Sequence, residues 1–126
     1  MWRETVMANK RISATDFIKR CGTGKKGKEE MFIGSWSTDD YKSFKQLGFK
    51  NGAALIAELQ LCGLKVEFDD NPVQKDYSST MYITNRLADD YVIGQKIDHM
   101  AFIILMRMKP DEFGQENDGA FRLWWD

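Results

Sequence analysis

Asn51-Gly52-Ala53-Ala54-Leu55-Ile56-Ala57-Glu58-Leu59-Gln60-Leu61-Cys62-Gly63-Leu64-Lys65-Val66-Glu67-Phe68-Asp69 changes its hydrophobic period once, at Gly63, and that change decides the class of fold. Before the glycine, Leu55, Ile56, Leu59 and Cys62 recur at helical spacing and form one apolar stripe. Asn51 supplies a side-chain oxygen to cap the helix start, and Gly63 supplies the left-handed stop. After the glycine, Leu64, Val66 and Phe68 alternate with Lys65, Glu67 and Asp69, as in a strand with one buried face. A helix running into an amphipathic strand predicts an α+β domain.

Working outward, Thr80-Met81-Tyr82-Ile83-Thr84 reads as the strand that returns against residues 64–69, across a polar connection containing Asn71-Pro72. Phe121, Leu123 and Trp125 alternate with Arg122, Trp124 and Asp126 as a closing strand. His99 to Lys109 is rich in Ile, Leu, Phe and Met and reads as a central strand ended by Pro110, with 111–118 an acidic turn region. Residues 85–94 read as a short capped helix or as a bend into another strand, with the helix favoured.

On the N-terminal side, Ser13-Ala14-Thr15-Asp16 caps a short helix over 14–21 that Gly22 closes. Met31 to Trp36 is apolar enough for a short strand. Ser37-Thr38-Asp39-Asp40 reads as a second cap, with Tyr41, Phe44 and Leu47 at helical spacing and Gly48 as the stop. The expected architecture is a helical N-terminal half packed on an antiparallel sheet of about four to five strands. All of residues 1–126 belong to one domain, with 1–10 frayed and 22–30 a mobile basic loop.

Composition bounds the function. The chain has 126 residues, 43% hydrophobic and 29% charged, with two prolines, which is the profile of a folded globule rather than a disordered segment. Its longest apolar run, Met100 to Met106, is far short of the about 18 residues that a membrane span needs, and the first residues lack the pattern of a secretory signal. A cytoplasmic protein that does not enter the membrane is expected. Cys21 and Cys62 follow no metal-binding spacing and have one histidine for company, so both read as reduced thiols, and neither a metal nor a cofactor is implied.

Charge is divided unevenly along the chain: residues 1–50 hold 11 Lys and Arg against 6 Asp and Glu, and residues 51–126 hold 7 against 13. Such a polarised chain either presents a basic face to an anionic partner or pairs its halves with each other. Gly22-Thr23-Gly24-Lys25-Lys26-Gly27-Lys28 has the GxxxxGK spacing of a phosphate-cradling loop, but Glu29 stands where that motif needs Ser or Thr for magnesium, and the loop follows a helix instead of a strand. It reads as a solvated basic loop. Helix, turn, helix and a long-looped hairpin together resemble the winged-helix arrangement of DNA-binding domains. On that alternative Lys25, Lys26, Lys28, Lys50 and Lys75 contact phosphates. The helix over 51–62 nevertheless offers Glu58 and alanines instead of Arg or Lys, and the hairpin loop carries Asp69, Asp70 and Asp76 against one lysine.

Catalytic signals are few. His99 stands alone, and the acid pairs Asp39-Asp40, Asp69-Asp70 and Asp89-Asp90 sit where caps and turns use carboxylates. A small-molecule enzyme or sensor is the third alternative. The remaining clue is aromatic: strand geometry puts Trp124 and Trp125 on opposite faces, and an outward tryptophan beside Arg122 on an edge strand makes a contact site for a protein partner or for a second copy in a homodimer. The sequence therefore favours a non-enzymatic interaction module with Trp124, Trp125 and Arg122 at its binding surface.

Overall fold

A computed structural model of the chain describes residues 10–23, 31–70, 74–85 and 98–126. Among them are three α-helices and a five-stranded, wholly antiparallel sheet, so the fold is α+β. In chain order the elements are β1 (Arg11–Ser13), α1 (Ala14–Cys21), β2 (Phe32–Ile33), a 3-10 turn (Phe44–Leu47), α2 (Gly52–Leu61), β3 (Leu64–Asp69), β4 (Tyr77–Ser78), β5 (Thr80–Asn85), α3 (His99–Arg107), β6 (Glu112–Gln115) and β7 (Phe121–Trp124). The main sheet has the order β1-β3-β5-β7-β6, and β2 and β4 form a small parallel pair beside it.

The change of period at Gly63 appears as read. Asn51 caps α2 by accepting from the Ala54 N–H at 2.9 Å, Leu55, Ile56 and Leu59 are fully buried, and Gly63 takes the left-handed φ of 86°. β3 then buries Leu64, Val66 and Phe68. Its partner β5 aligns Ile83 with Val66 and Met81 with Phe68, so the two strands present one apolar face. β7 adds Leu123 and Phe121 opposite Met81 and Ile83 on that same face. The helices cover it: Phe17 of α1 stacks on Phe68 with ring centroids 4.3 Å apart, and Leu55, Leu59, Ala101 and Leu105 join the same core.

Three expectations are corrected. His99 to Lys109 is a helix followed by a turn, not a central strand: Asp98 accepts from the N–H groups of Met100 and Ala101, and Ala101, Leu105 and Met108 are buried at spacings of four and three. The acidic region 111–118 contains an edge strand, β6. Ser37 to Asp40 does not start a helix; Ser43 caps a single 3-10 turn instead, through a capping box with Gln46. The reason lies in packing. Phe44 and Leu47 are in the core, but Tyr41 stands 73% exposed, so the three never form one stripe, and the N–H of Phe44 bonds back to the Ser37 carbonyl at 2.9 Å to close a loop over 37–44.

The helices are also not confined to the N-terminal half, since α3 follows β5 and completes the layer over the sheet. The helix expected over 85–94 lies almost wholly outside the described residues, apart from Asn85, which ends β5; so do Trp2, most of the 22–30 loop, and the Asn71-Pro72 part of the hairpin connection. No helix among the described residues is long and apolar enough to cross a membrane.

Candidate functional site

The C-terminal hairpin, β6 and β7, forms one edge of the main sheet, with Glu112 opposite Trp124, Phe113 opposite Leu123 and Gly114 opposite Arg122. All four residues of β6 are exposed. The backbone N–H of Glu116, just past the strand, donates to the Ala120 carbonyl at 2.7 Å, and hydrogen-bonded pairs recur at every second residue in an antiparallel ladder. Gly114 and Glu112 therefore turn their main-chain groups toward β7, and the N–H and C=O of Phe113 point out along the free edge. Among the described residues no strand pairs with that edge.

Aromatic side chains flank this edge on both faces of the sheet. On the helix-covered face Phe113, 41% exposed, lies parallel to Phe121 at 5.6 Å between centroids and meets Phe102 of α3 edge-on at 6.1 Å. Ile103 and Met100 of α3 are also exposed beside Phe102 in sequence. On the opposite face lie the half-buried Trp124 and Arg122, and the Arg122 guanidinium donates to Glu112 at 3.0 Å.

The structure separates the two tryptophans read as a pair. Trp125 is 2% exposed and donates its indole N–H to the Met108 carbonyl at 2.7 Å, so it belongs to the core and offers no surface to a partner. Trp124 and Arg122 share the face opposite Leu123, as the alternation predicts, but the strand that carries them is not the edge expected from the sequence: β7 is paired with β5 on one side and β6 on the other, and β6 forms the edge. Phe113 and Phe102 were missed by sequence reasoning, because each was assigned to the wrong kind of element; their one signal was an isolated aromatic within a polar run at Phe113.

Toward the middle of the sheet the same outer face is closed by charge. Tyr82 of β5, only 4% exposed, donates its hydroxyl to Asp69 at 2.9 Å, and the Arg11 guanidinium lies 4.0 Å over its ring. Arg11 also pairs with Asp118 at 2.7 Å and Glu67 at 3.9 Å. On this face Arg11 is thus matched by two carboxylates. Burial, followed by the negative charge and hydrogen bond of Asp69, pushes the Tyr82 phenol from 10.0 up to about 12.

The neutral phenol is thus favoured in the folded state. The stabilisation this gives is complete below pH 10 and is lost as pH rises from 10 toward 12. Alkaline titration followed by phenolate absorbance is expected to show a late ionisation step near pH 12, and Tyr82→Phe should remove it. A single titration in which every tyrosine ionises together would contradict the buried network.

Of the five lysines of the nucleic-acid alternative, Lys25, Lys26 and Lys28 lie outside the described residues. Lys50 and Lys75 are exposed. Arg20 ties the loop carrying Lys75 to α1, donating to the Lys75 carbonyl at 2.9 Å, to Asp70 at 2.9 Å and to the Tyr77 carbonyl at 3.3 Å. The helix expected to precede α2 is the single 3-10 turn, so the helix pair of a winged-helix domain is not formed. α2 itself exposes Ala57, Glu58 and Leu61.

The catalytic candidates disperse. His99 is exposed on the first turn of α3, and Asp98 caps that helix. Asp39 pairs with Lys45 at 3.1 Å, and Asp40 accepts from the Tyr41 N–H. Asp89-Asp90 lies outside the described residues. Among the described residues no group of three or more His, Cys, Asp or Glu is placed to hold a metal ion. Cys21 and Cys62 are free thiols; burial pushes Cys21 up to about 11, and burial and then the Asp98 charge raise Cys62, so neither is activated as a nucleophile.

An α+β domain with an exposed, aromatic-flanked sheet edge is the class that fold and site define. No protein-family model, curated protein or solved structure matches the chain.

Proposed function

We propose that this chain is a non-enzymatic interaction module that binds another protein at the β6 edge of its sheet. The observation that carries the reading is the coincidence of an outward-facing strand backbone at Phe113 with aromatic side chains on both faces beside it. Edge strands are templates for pairing, and an edge left long, flat and apolar is normally blunted by charge, proline or cover. β6 is short and carries Glu112, which limits indiscriminate pairing, but among the described residues no strand covers its outer side and it presents Phe113 there. Aromatic residues and arginine dominate the energetics of protein interfaces, and Phe113, Phe102, Trp124 and Arg122 supply both types within a few residues of the edge.

Site-specific cross-linking tests this reading. A photoreactive phenylalanine analogue at position 113, introduced in cells that produce the protein, is expected to give a discrete adduct with one partner, and Phe102→Arg is expected to abolish it. The same analogue at Leu61, which is 82% exposed on α2, is the control for chance contact. Equal, diffuse labelling from both positions would count against a binding edge. Duplex DNA added at low salt is expected to leave the Phe113 adduct unchanged.

A further inference from the structure

From the charge around β6 we infer that the occupant of this edge is an extended segment of a basic protein, with apolar and cationic residues alternating, and not a second copy of the chain. The inference rests on the β6 edge being the binding surface. A strand laid along β6 sends successive side chains to opposite faces of the sheet. On one face they meet the exposed rings of Phe113 and Phe102, which take apolar side chains. On the other they meet Glu112, whose side chain is 63% exposed although it accepts from Arg122.

Acidic groups also stand at both ends of the strand, with Asp111 exposed before it and Glu116 half-buried after it. From 110 to 126 the chain carries five carboxylates, Asp111, Glu112, Glu116, Asp118 and Asp126, against one cation, Arg122; Arg122 pairs with Glu112 and Arg11 of β1 with Asp118, which leaves the row net acidic. Cations spaced two residues apart in the partner complement this row, and complementary charge raises both encounter rate and selectivity. The same row argues against self-pairing: a two-fold contact of β6 with itself brings two sets of Asp111, Glu112 and Glu116 along one seam, where like charges repel.

The probes are two synthetic peptides, one alternating valine with lysine and one alternating valine with glutamate, and a third in which the lysine peptide is N-methylated at every second residue so that it cannot extend a ladder. Binding is read on the whole chain by hydrogen exchange at the Phe113 amide and by titration at low and high salt. The lysine peptide is expected to protect that amide and to bind about tenfold or more tightly than the glutamate peptide, with the difference shrinking as salt screens it. The N-methylated peptide should give no protection.

Equal binding of the lysine and glutamate peptides, both protecting Phe113, would overturn the charge preference and leave the edge as the interface. A dimer in which Phe113 is protected without any peptide would likewise overturn the inference alone. Lysine-peptide binding that leaves the Phe113 amide unprotected, or failure of both peptides to bind, would overturn it; loss of the position-113 adduct as well would remove the interaction reading on which it rests.

Discussion

Trp125→Ala is expected to lower the free energy of unfolding by about 3–5 kcal/mol, the range for removing a large aromatic from a packed core. The side chain is almost completely buried. It links three parts of the fold: its ring packs on the backbone of Gly34, its indole N–H reaches the Met108 carbonyl at the end of α3, and its own N–H bonds the Ser79 carbonyl at 2.9 Å beside β5. Truncation leaves a cavity among groups held by separate elements, so relaxation can fill little of it. Equilibrium denaturation in urea measures the loss, and a change below about 1 kcal/mol would mean that the C-terminal residues contribute little to the core.

Trp125→Phe separates packing from hydrogen bonding. The Met108 carbonyl accepts from the indoles of both Trp36 and Trp125, each at 2.7 Å, so removing one donor leaves the acceptor satisfied. The expected cost is that of the smaller ring together with one hydrogen bond of about 1 kcal/mol, well short of the alanine variant. A phenylalanine variant as unstable as the alanine one would show that the bond, and not the ring, holds the junction.

The junction illustrates how much of the fold is legible from residue order. The helix over 52–61 and the strands over 64–69 and 80–85 are legible because cap, stop and period agree: Asn51 accepts, Gly63 turns left-handed, and the alternation of Leu64, Val66 and Phe68 is the alternation of burial. The segment from His99 to Met108 is not, since a run of Phe, Ile, Leu and Met carries no contrast between faces to distinguish a buried strand from a helix. Asp98 as a cap and Ala101, Leu105 and Met108 at helical spacing hold the answer, but the apolar residues among them, Phe102 and Ile103, hide it because the structure leaves them partly exposed.

The candidate site is less legible still, for a physical reason. Hydrophobic alternation reports one-sided burial, and β6 is exposed at all four residues, so it has no alternation to show. Arg122 and Trp124 were found through the alternation of β7, which is paired on both sides. Phe113 becomes meaningful only when the sheet order sets it beside Phe121 and α3 brings Phe102 to its edge. Strand alternation turns one of Trp124 and Trp125 outward but does not say which of the two indoles finds an acceptor inside, which is Trp125 on the Met108 carbonyl.

Gly34→Ala is expected to be nearly as damaging as loss of Trp125, although it adds one methyl group. Gly34 has φ of 60°, in the left-handed region, where a Cβ costs about 1–2 kcal/mol. A Cβ there would also lie 2.4 Å from the Trp125 Cβ and 2.7 Å from its Cγ, atoms near the main chain that cannot swing aside. Forcing such an overlap adds about 1–3 kcal/mol. The backbone cannot easily yield, because the Gly34 N–H is tied to the Ser78 carbonyl at 2.8 Å. Gly48→Ala isolates the first contribution: its φ of 93° is also left-handed, but nothing lies within 4 Å of the added carbon. Denaturation of the two variants side by side should show Gly34→Ala losing more stability by the amount of the overlap. Equal losses would mean that Trp125 moves away at little cost, and the tight contact between the 34–36 turn and the C-terminal residues would then not be what closes this corner of the core.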